Sequence, residues 1–150
     1  KRVVDEMEFL VNKYNAGFIF MMEPLFIANK QRVIAICKEI IKRKLHFKWG
    51  CECHVKLVDL ELLNWMGKAG CYEVHFGIES GVQRLLDNVC KGTTLDQIER
   101  AVKLTKQTKI KVSGLFMLGL PGETYKDSLE TIDFACRLPL DFAQFSITVP

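Results

Sequence analysis

No two cysteines in this chain are spaced C-x-x-C, and no three are spaced C-x-x-x-C-x-x-C. The cysteines present are Cys37, Cys51, Cys53, Cys71, Cys90 and Cys136, and most fall inside apolar segments, where a thiol behaves as a small hydrophobe. That argues against a disulfide framework and for a reducing, cytoplasmic setting with free thiols. No apolar run reaches the length of a membrane span and no signal peptide opens the chain, so no membrane partner is expected. The net charge is only +3, and no basic cluster is interleaved with aromatics, so nucleic acid is not expected either. The one glycine–proline turn lacks a Gly-Lys-Ser ending, which excludes a phosphate loop. What remains is a chain of 150 residues, 49% apolar and 26% charged, the composition of one ordinary folded domain spanning residues 1–150.

Periodicity divides that domain into alternating elements. Residues 1–14 read as a helix with Val3, Val4, Met7, Leu10 and Val11 on one face. Phe18 to Met22 is a continuous apolar run, read as a buried strand, and a loop through Pro24 follows it. Asn29 caps a helix striped by Val33, Ile34, Ile36, Cys37, Ile40 and Ile41, and residues 47–55 form a second strand. Asp59 caps a helix ending at Gly70, and residues 72–78 form the third strand. A short helix over 81–89 precedes one over 95–107, whose capping box is read as Thr93 with Asp96. Strands over 111–118 and 142–149 flank a helix over 124–138. The order αβαβαβαβαβ implies an α/β fold with parallel strands and right-handed crossovers. An open sheet and a partial barrel satisfy it equally.

The stretch Val112-Ser-Gly-Leu-Phe-Met-Leu-Gly-Leu-Pro-Gly-Glu123 organises the rest. A buried-strand run breaks at Gly119 and turns through Pro121-Gly122, bringing backbone close to whatever lies at the strand's C-terminal end, where parallel α/β folds bind ligands. With Ala69-Gly-Cys-Tyr-Glu-Val-His-Phe-Gly-Ile-Glu-Ser-Gly81 and Phe20-Met-Met-Glu-Pro-Leu-Phe26, it resembles the radical S-adenosylmethionine enzymes, in particular the cobalamin-associated branch, from about Val4 to Pro150. The resemblance implies a partial (β/α) TIM barrel, here incomplete, without the first strand and the C-x-x-x-C-x-x-C loop that follows it. It implies S-adenosylmethionine as cofactor, a 4Fe-4S cluster bound only in a longer parent, 5′-deoxyadenosyl-radical chemistry there, and cobalamin on a separate domain.

Several residues take roles from that resemblance. Glu23 stands where the family's Gly-Gly-Glu-Pro contacts the amino group of the cofactor, although Met21 and Met22 replace the glycines. It reads equally as a solvated loop residue. Alternation places His75, Gly77 and Glu79 on one face of their strand and Val74, Phe76 and Ile78 on the other. The first face would line the barrel, and Glu79 with Ser80 resembles the family's ribose-contacting position. The bland alternative is an internal salt bridge. Met117 falls where an apolar side chain rests against adenine, beside Gly119, and also suits core packing. Ser146 and Thr148 would complete that side. Glu52, His54 and His75 are read as substrate-facing.

Two rivals stay open: a catalytically dead or engineered scaffold, and a metal-dependent barrel hydrolase using Glu52, His54, His75 and Glu79. No cysteine stands in for the cluster ligands, so the chain alone is expected to be inactive. Its partners would be the missing N-terminal strand and cluster loop, or a second copy joined through the exposed sheet edge.

Overall fold

Helices and strands alternate as α1 (Arg2–Tyr14), β1 (Phe18–Met21), α2 (Lys30–Lys42), β2 (Lys48–Cys53), α3 (Leu60–Lys68), β3 (Cys71–Glu79), α4 (Gln83–Asn88), α5 (Leu95–Thr105), β4 (Lys111–Leu118), α6 (Tyr125–Arg137) and β5 (Phe142–Ile147). The structure, a computed structural model, describes residues 1–23 and 26–148. The expected loop residue Pro24 and strand residue Val149 lie outside the described residues. Short single turns over Phe26–Ala28 and Val55–Leu57 complete the described elements.

Every strand pairing is parallel and follows chain order, β1-β2-β3-β4-β5. β1 and β5 are the edges, so the sheet is an unclosed partial barrel. Local chemistry sets the helix starts. Asn29 accepts from the Arg32 N–H at 2.9 Å, and Asp59 from the Leu62 N–H at 2.9 Å. Thr124 and Asp127 form a reciprocal capping box. α5 begins at Leu95 as expected, but its capping box lies one residue later than Thr93–Asp96. Thr94 is the cap and Gln97 its partner, because the longer Gln97 amide reaches back to the Thr94 N–H at 3.2 Å. Among the described residues, no helix is long and apolar enough to cross a membrane.

One face of the sheet is sealed by helices. Val74, Phe76, Ile78 and Val112 are wholly buried there, with Leu62, Leu63, Met66, Ile98 and Val102 from α3 and α5. Trp49 is also fully buried, and its indole N–H donates to the Ala69 carbonyl at 2.8 Å. The α6 contact is close: a Cβ on Gly81 would lie 2.5 Å from Phe134 Cβ and 2.9 Å from Thr131 Cα. The other face is only half-covered, and it carries Phe20, Glu52, His75, Gly77, Leu115 and Met117.

The edge strands depart from expectation. β1 is not a buried strand: none of its residues is fully buried, and Phe18 is 43% exposed. Its apolar run is that of an inner strand, but it has a hydrogen-bonded neighbour on one side only. β5 is more open still, with all six residues exposed. His54 lies beyond the end of β2, not within it, and caps the Val55–Leu57 turn.

Candidate functional site

Because all strands run the same way, their C-terminal ends form one rim. Along it come Glu23 after β1, His54 after β2, Glu79 ending β3, Gly119 after β4 and Thr148 after β5.

Glu79 is the best defined of these. The β3–β4 register slips between Gly77 and Glu79, and Glu79 takes a left-handed backbone at φ 68°. Its carboxylate accepts from Lys91 Nζ at 2.7 Å, with both side chains largely shielded. Gly77 makes the space. A Cβ there would lie 3.0 Å from Glu79 Oε1 and 3.1 Å from Lys91 Nζ. Sequence reasoning missed Lys91. The available signal was the shortness of α4 and the Gly92 break, which together return the chain to the rim.

His54 stands nearby. Its Nδ1 accepts from the Lys56 N–H at 3.3 Å. Burial, and then the charges of Lys91 and Lys56, hold its pKa below the ordinary 6.5. This part of the rim is therefore cationic, with Glu79 as its counter-charge.

Glu23 is exposed, two strands along the sheet from Glu79, and its carbonyl accepts from the Phe26 N–H at 3.0 Å. Ser80 is turned away from the rim group. It is 1% exposed, its hydroxyl lies 3.1 Å from Thr131 Oγ1, and it accepts from the Val82 N–H. The Gly81 N–H also donates to Thr131 Oγ1 at 3.1 Å. Ser80 and Thr131 thus pin the end of β3 to α6.

On the β4 side, Met117 is half-buried and in register with Ser146. Gly119 takes φ 84°, a region that favours glycine. The following turn is held by Glu123, whose Oε2 accepts from the Gly119 and Leu120 N–H groups at 2.6 and 2.7 Å. Beside the turn, the Thr148 carbonyl lies 3.5 Å from where a Gly119 Cβ would stand. Thr148 Oγ1 is buried with no hydrogen-bond partner among the described residues. The rim thus carries an orphaned hydroxyl at Thr148 and a carboxylate–ammonium pair at Glu79 and Lys91.

On the open face lower down, Glu52 and His75 are register partners. His75 Nε2 lies 3.4 Å from Glu73 Oε1, and its ring packs on Phe20 at 4.7 Å between centroids. Neither Glu73 nor Phe20 was singled out in the sequence. The quartet Glu52, His54, His75 and Glu79 does not assemble as a metal centre. Three of its members are committed to Lys56, Glu73 and Lys91, and no group of three or more His, Cys, Asp or Glu among the described residues could hold a metal ion.

The residues present do not fit an iron–sulfur cluster. Cys37, Cys51, Cys53 and Cys71 are buried, the β2 and β3 thiols on the helix-covered face, with Cys51 and Cys53 sulfurs 3.6 Å apart. Burial pushes the Cys37 thiol up to about 12. Hydrogen bonds from Cys53 and Cys71 pull Cys51 down. Cys90 and Cys136 are exposed singly.

This architecture has close counterparts. The chain is 35% identical over all 150 residues to an uncharacterized methyltransferase of Pyrococcus horikoshii, of which it spans 33%. It is 36% identical over 152 residues to the anaerobic magnesium-protoporphyrin IX monomethyl ester cyclase of Rubrivivax gelatinosus, of which it spans 27%. The chain is thus about a third of the length of these relatives or less. Among solved structures, the radical S-adenosylmethionine methyltransferase TsrM of Kitasatospora setae, with cobalamin and a 4Fe-4S cluster bound, superposes with a TM-score of 0.85 at 24% identity, over 97% of this chain and 30% of that one. The cobalamin-dependent S-adenosylmethionine radical enzyme OxsB superposes at 0.70 and 22% identity, over 87% of this chain and 21% of that one. The pattern of the Radical SAM superfamily matches residues 1–135. With a match of that extent on an unclosed parallel sheet of matching fold, the chain belongs to the radical S-adenosylmethionine superfamily.

Proposed function

We propose that the rim of this sheet binds S-adenosylmethionine and that the chain is the cofactor-binding core of a longer radical enzyme. The observation that carries this reading is the Glu79–Lys91 pair seated over Gly77 at the end of β3. S-adenosylmethionine presents a carboxylate, an ammonium, a ribose diol and a purine. Lys91 supplies a cation for the carboxylate, and Glu79 an acceptor for the ribose hydroxyls. Glu23 supplies a second acceptor, for the ammonium. Met117 would rest against the purine, Gly119 would let backbone approach it, and the Thr148 hydroxyl would gain the partner it lacks. Ser80 acts as a positioning residue, fixing the backbone of Glu79 through Thr131.

When bound, S-adenosylmethionine supplies the 5′-deoxyadenosyl group of the family's radical chemistry. The residues of this chain bind and orient it and shield it from water. The iron–sulfur cluster, and any cobalamin, are held by other parts of the longer protein, so the chain by itself binds without turnover.

Calorimetric titration tests this. S-adenosylmethionine should bind the chain, weakly in the absence of a cluster, and Lys91→Ala should abolish the heat. Zinc should give none. Absence of cofactor binding would sink the reading, and so would a stable cluster absorbance in the isolated chain after iron and sulfide reconstitution.

A further inference from the structure

Below the rim, on the open face, lies a polar group that cofactor binding does not use. Glu52 is half-buried on β2 and has no hydrogen-bond or ion-pair partner among the described residues. In register beside it stand His75 on β3 and Ser113 on β4. One step further down, Gly50 lets two side chains close over β2: a Cβ at Gly50 would lie 3.0 Å from both Glu73 Cγ and Phe20 Cδ2. Glu73 meets His75 at 3.4 Å, and Phe20 packs on the imidazole. Three strands thus build one continuous patch, formed by an aromatic plate, an imidazole held by a carboxylate, and a second carboxylate with nothing to hold.

The Glu52 carboxylate is only partly covered, so its oxygens stay open on this face to a donor. The nearby cations are engaged elsewhere: at the rim Lys91 pairs with Glu79, and at the opposite end of the sheet Lys48 and Lys111 lie over the Tyr72 ring. β3 rises about 3.3 Å per residue, which puts the His75 row roughly 13 Å below Glu79. A ligand on the rim would leave that row open to a second molecule.

We infer that Glu52 and the Glu73–His75 pair receive the nitrogen-bearing end of the substrate: a protonated amine or an N–H-rich ring edge, carried on a flat apolar body that rests on Phe20. This rests on the cofactor reading only in placing the substrate on the same face. The patch disfavours carboxylate-ended substrates, because it would set them against two acids.

Benzylamine, with benzyl alcohol as its neutral isostere, probes the patch in the full chain by amide and side-chain chemical shifts. Benzylamine should perturb residues of the Glu52–His75 row, and Glu52→Gln should weaken it about tenfold, the loss expected for a charge-assisted hydrogen bond. Benzyl alcohol should perturb them far less. Glu52→Gln, isosteric and on the half-covered face, should keep the wild-type melting temperature and leave S-adenosylmethionine affinity within about twofold. Equal perturbation by amine and alcohol, or an amine response indifferent to Glu52→Gln, overturns the inference. Failure of S-adenosylmethionine to bind the wild type overturns the cofactor reading instead, and leaves the amine result standing by itself.

Discussion

The missing side chain of Gly77 is what allows Glu79 to fold back over its own strand: the site of a Cβ on Gly77 is 3.0 Å from Glu79 Oε1. The obstructing atoms are the ends of flexible side chains, so Gly77→Ala should displace the Glu79–Lys91 pair without unfolding the sheet. We expect stability to change by less than about 1 kcal/mol in a thermal melt. The affinity for S-adenosylmethionine should fall about tenfold by calorimetry, as for loss of one charge-assisted contact.

His54 carries a testable proton. Its pKa lies below 6.5 because of burial first and the charges of Lys91 and Lys56 second. A base with a depressed folded pKa binds fewer protons folded than unfolded in the window between the two values. Its contribution to stability is therefore present above about 6.5 and is lost as pH falls toward the folded value. NMR titration should find the His54 pKa below 6.5 and moved upward in Lys91→Met. A value at or above 6.5 in the wild type would contradict the arrangement.

Thr131→Val should be destabilising. The hydroxyl is fully buried and serves both Ser80 Oγ and the Gly81 N–H. Replacing it with an isosteric methyl strands a buried donor, at a cost of about 1–3 kcal/mol. The urea midpoint should fall with the slope unchanged, while Thr131→Ser recovers most of the loss.

Asp141 ties the entry of β5 to the start of β4. Its carboxylate accepts from the Val112 N–H at 2.8 Å and from Lys106 Nζ at 2.9 Å. Burial raises its pKa, but Lys106 and the Val112 N–H outweigh it and leave the pKa below 3.8. Asp141→Ala should cost about 1–2 kcal/mol at neutral pH. The difference from wild type should shrink as pH falls below 3.8 and through the lower folded value, which chemical denaturation across that range would measure.

Both edge strands are apolar, and Phe142 and Ile147 of β5 are 56% and 77% exposed. Self-association is the expected result at an unprotected parallel edge. Light scattering should show an apparent mass that rises with concentration and falls back in Ile147→Lys. A monomer at every concentration would refute this.

The regular part of this structure was legible in the sequence, and the part governed by reach across space was not. β4 was read residue for residue, because its ends are marked by Ile110-Lys111 and Gly119. The two faces of β3 followed from strict alternation. Lys91 and Glu73 escaped because nothing local marks them: one arrives by a loop after a six-residue helix, the other by a partner on the same strand. Ser80 was paired with Glu79 through the family resemblance, and the left-handed turn at Glu79 sends the Ser80 side chain into α6. β1 was read as buried because composition reports what a strand prefers to touch, not whether the neighbour is there.

Each strand here bonds only to the ones made immediately before and after it. During synthesis, no segment of the sheet has to wait for a partner far downstream. Every finished helix–strand unit can dock on the last, so the chain is suited to vectorial assembly from its N-terminal end, and internal truncations should be tolerated best at whole-unit boundaries.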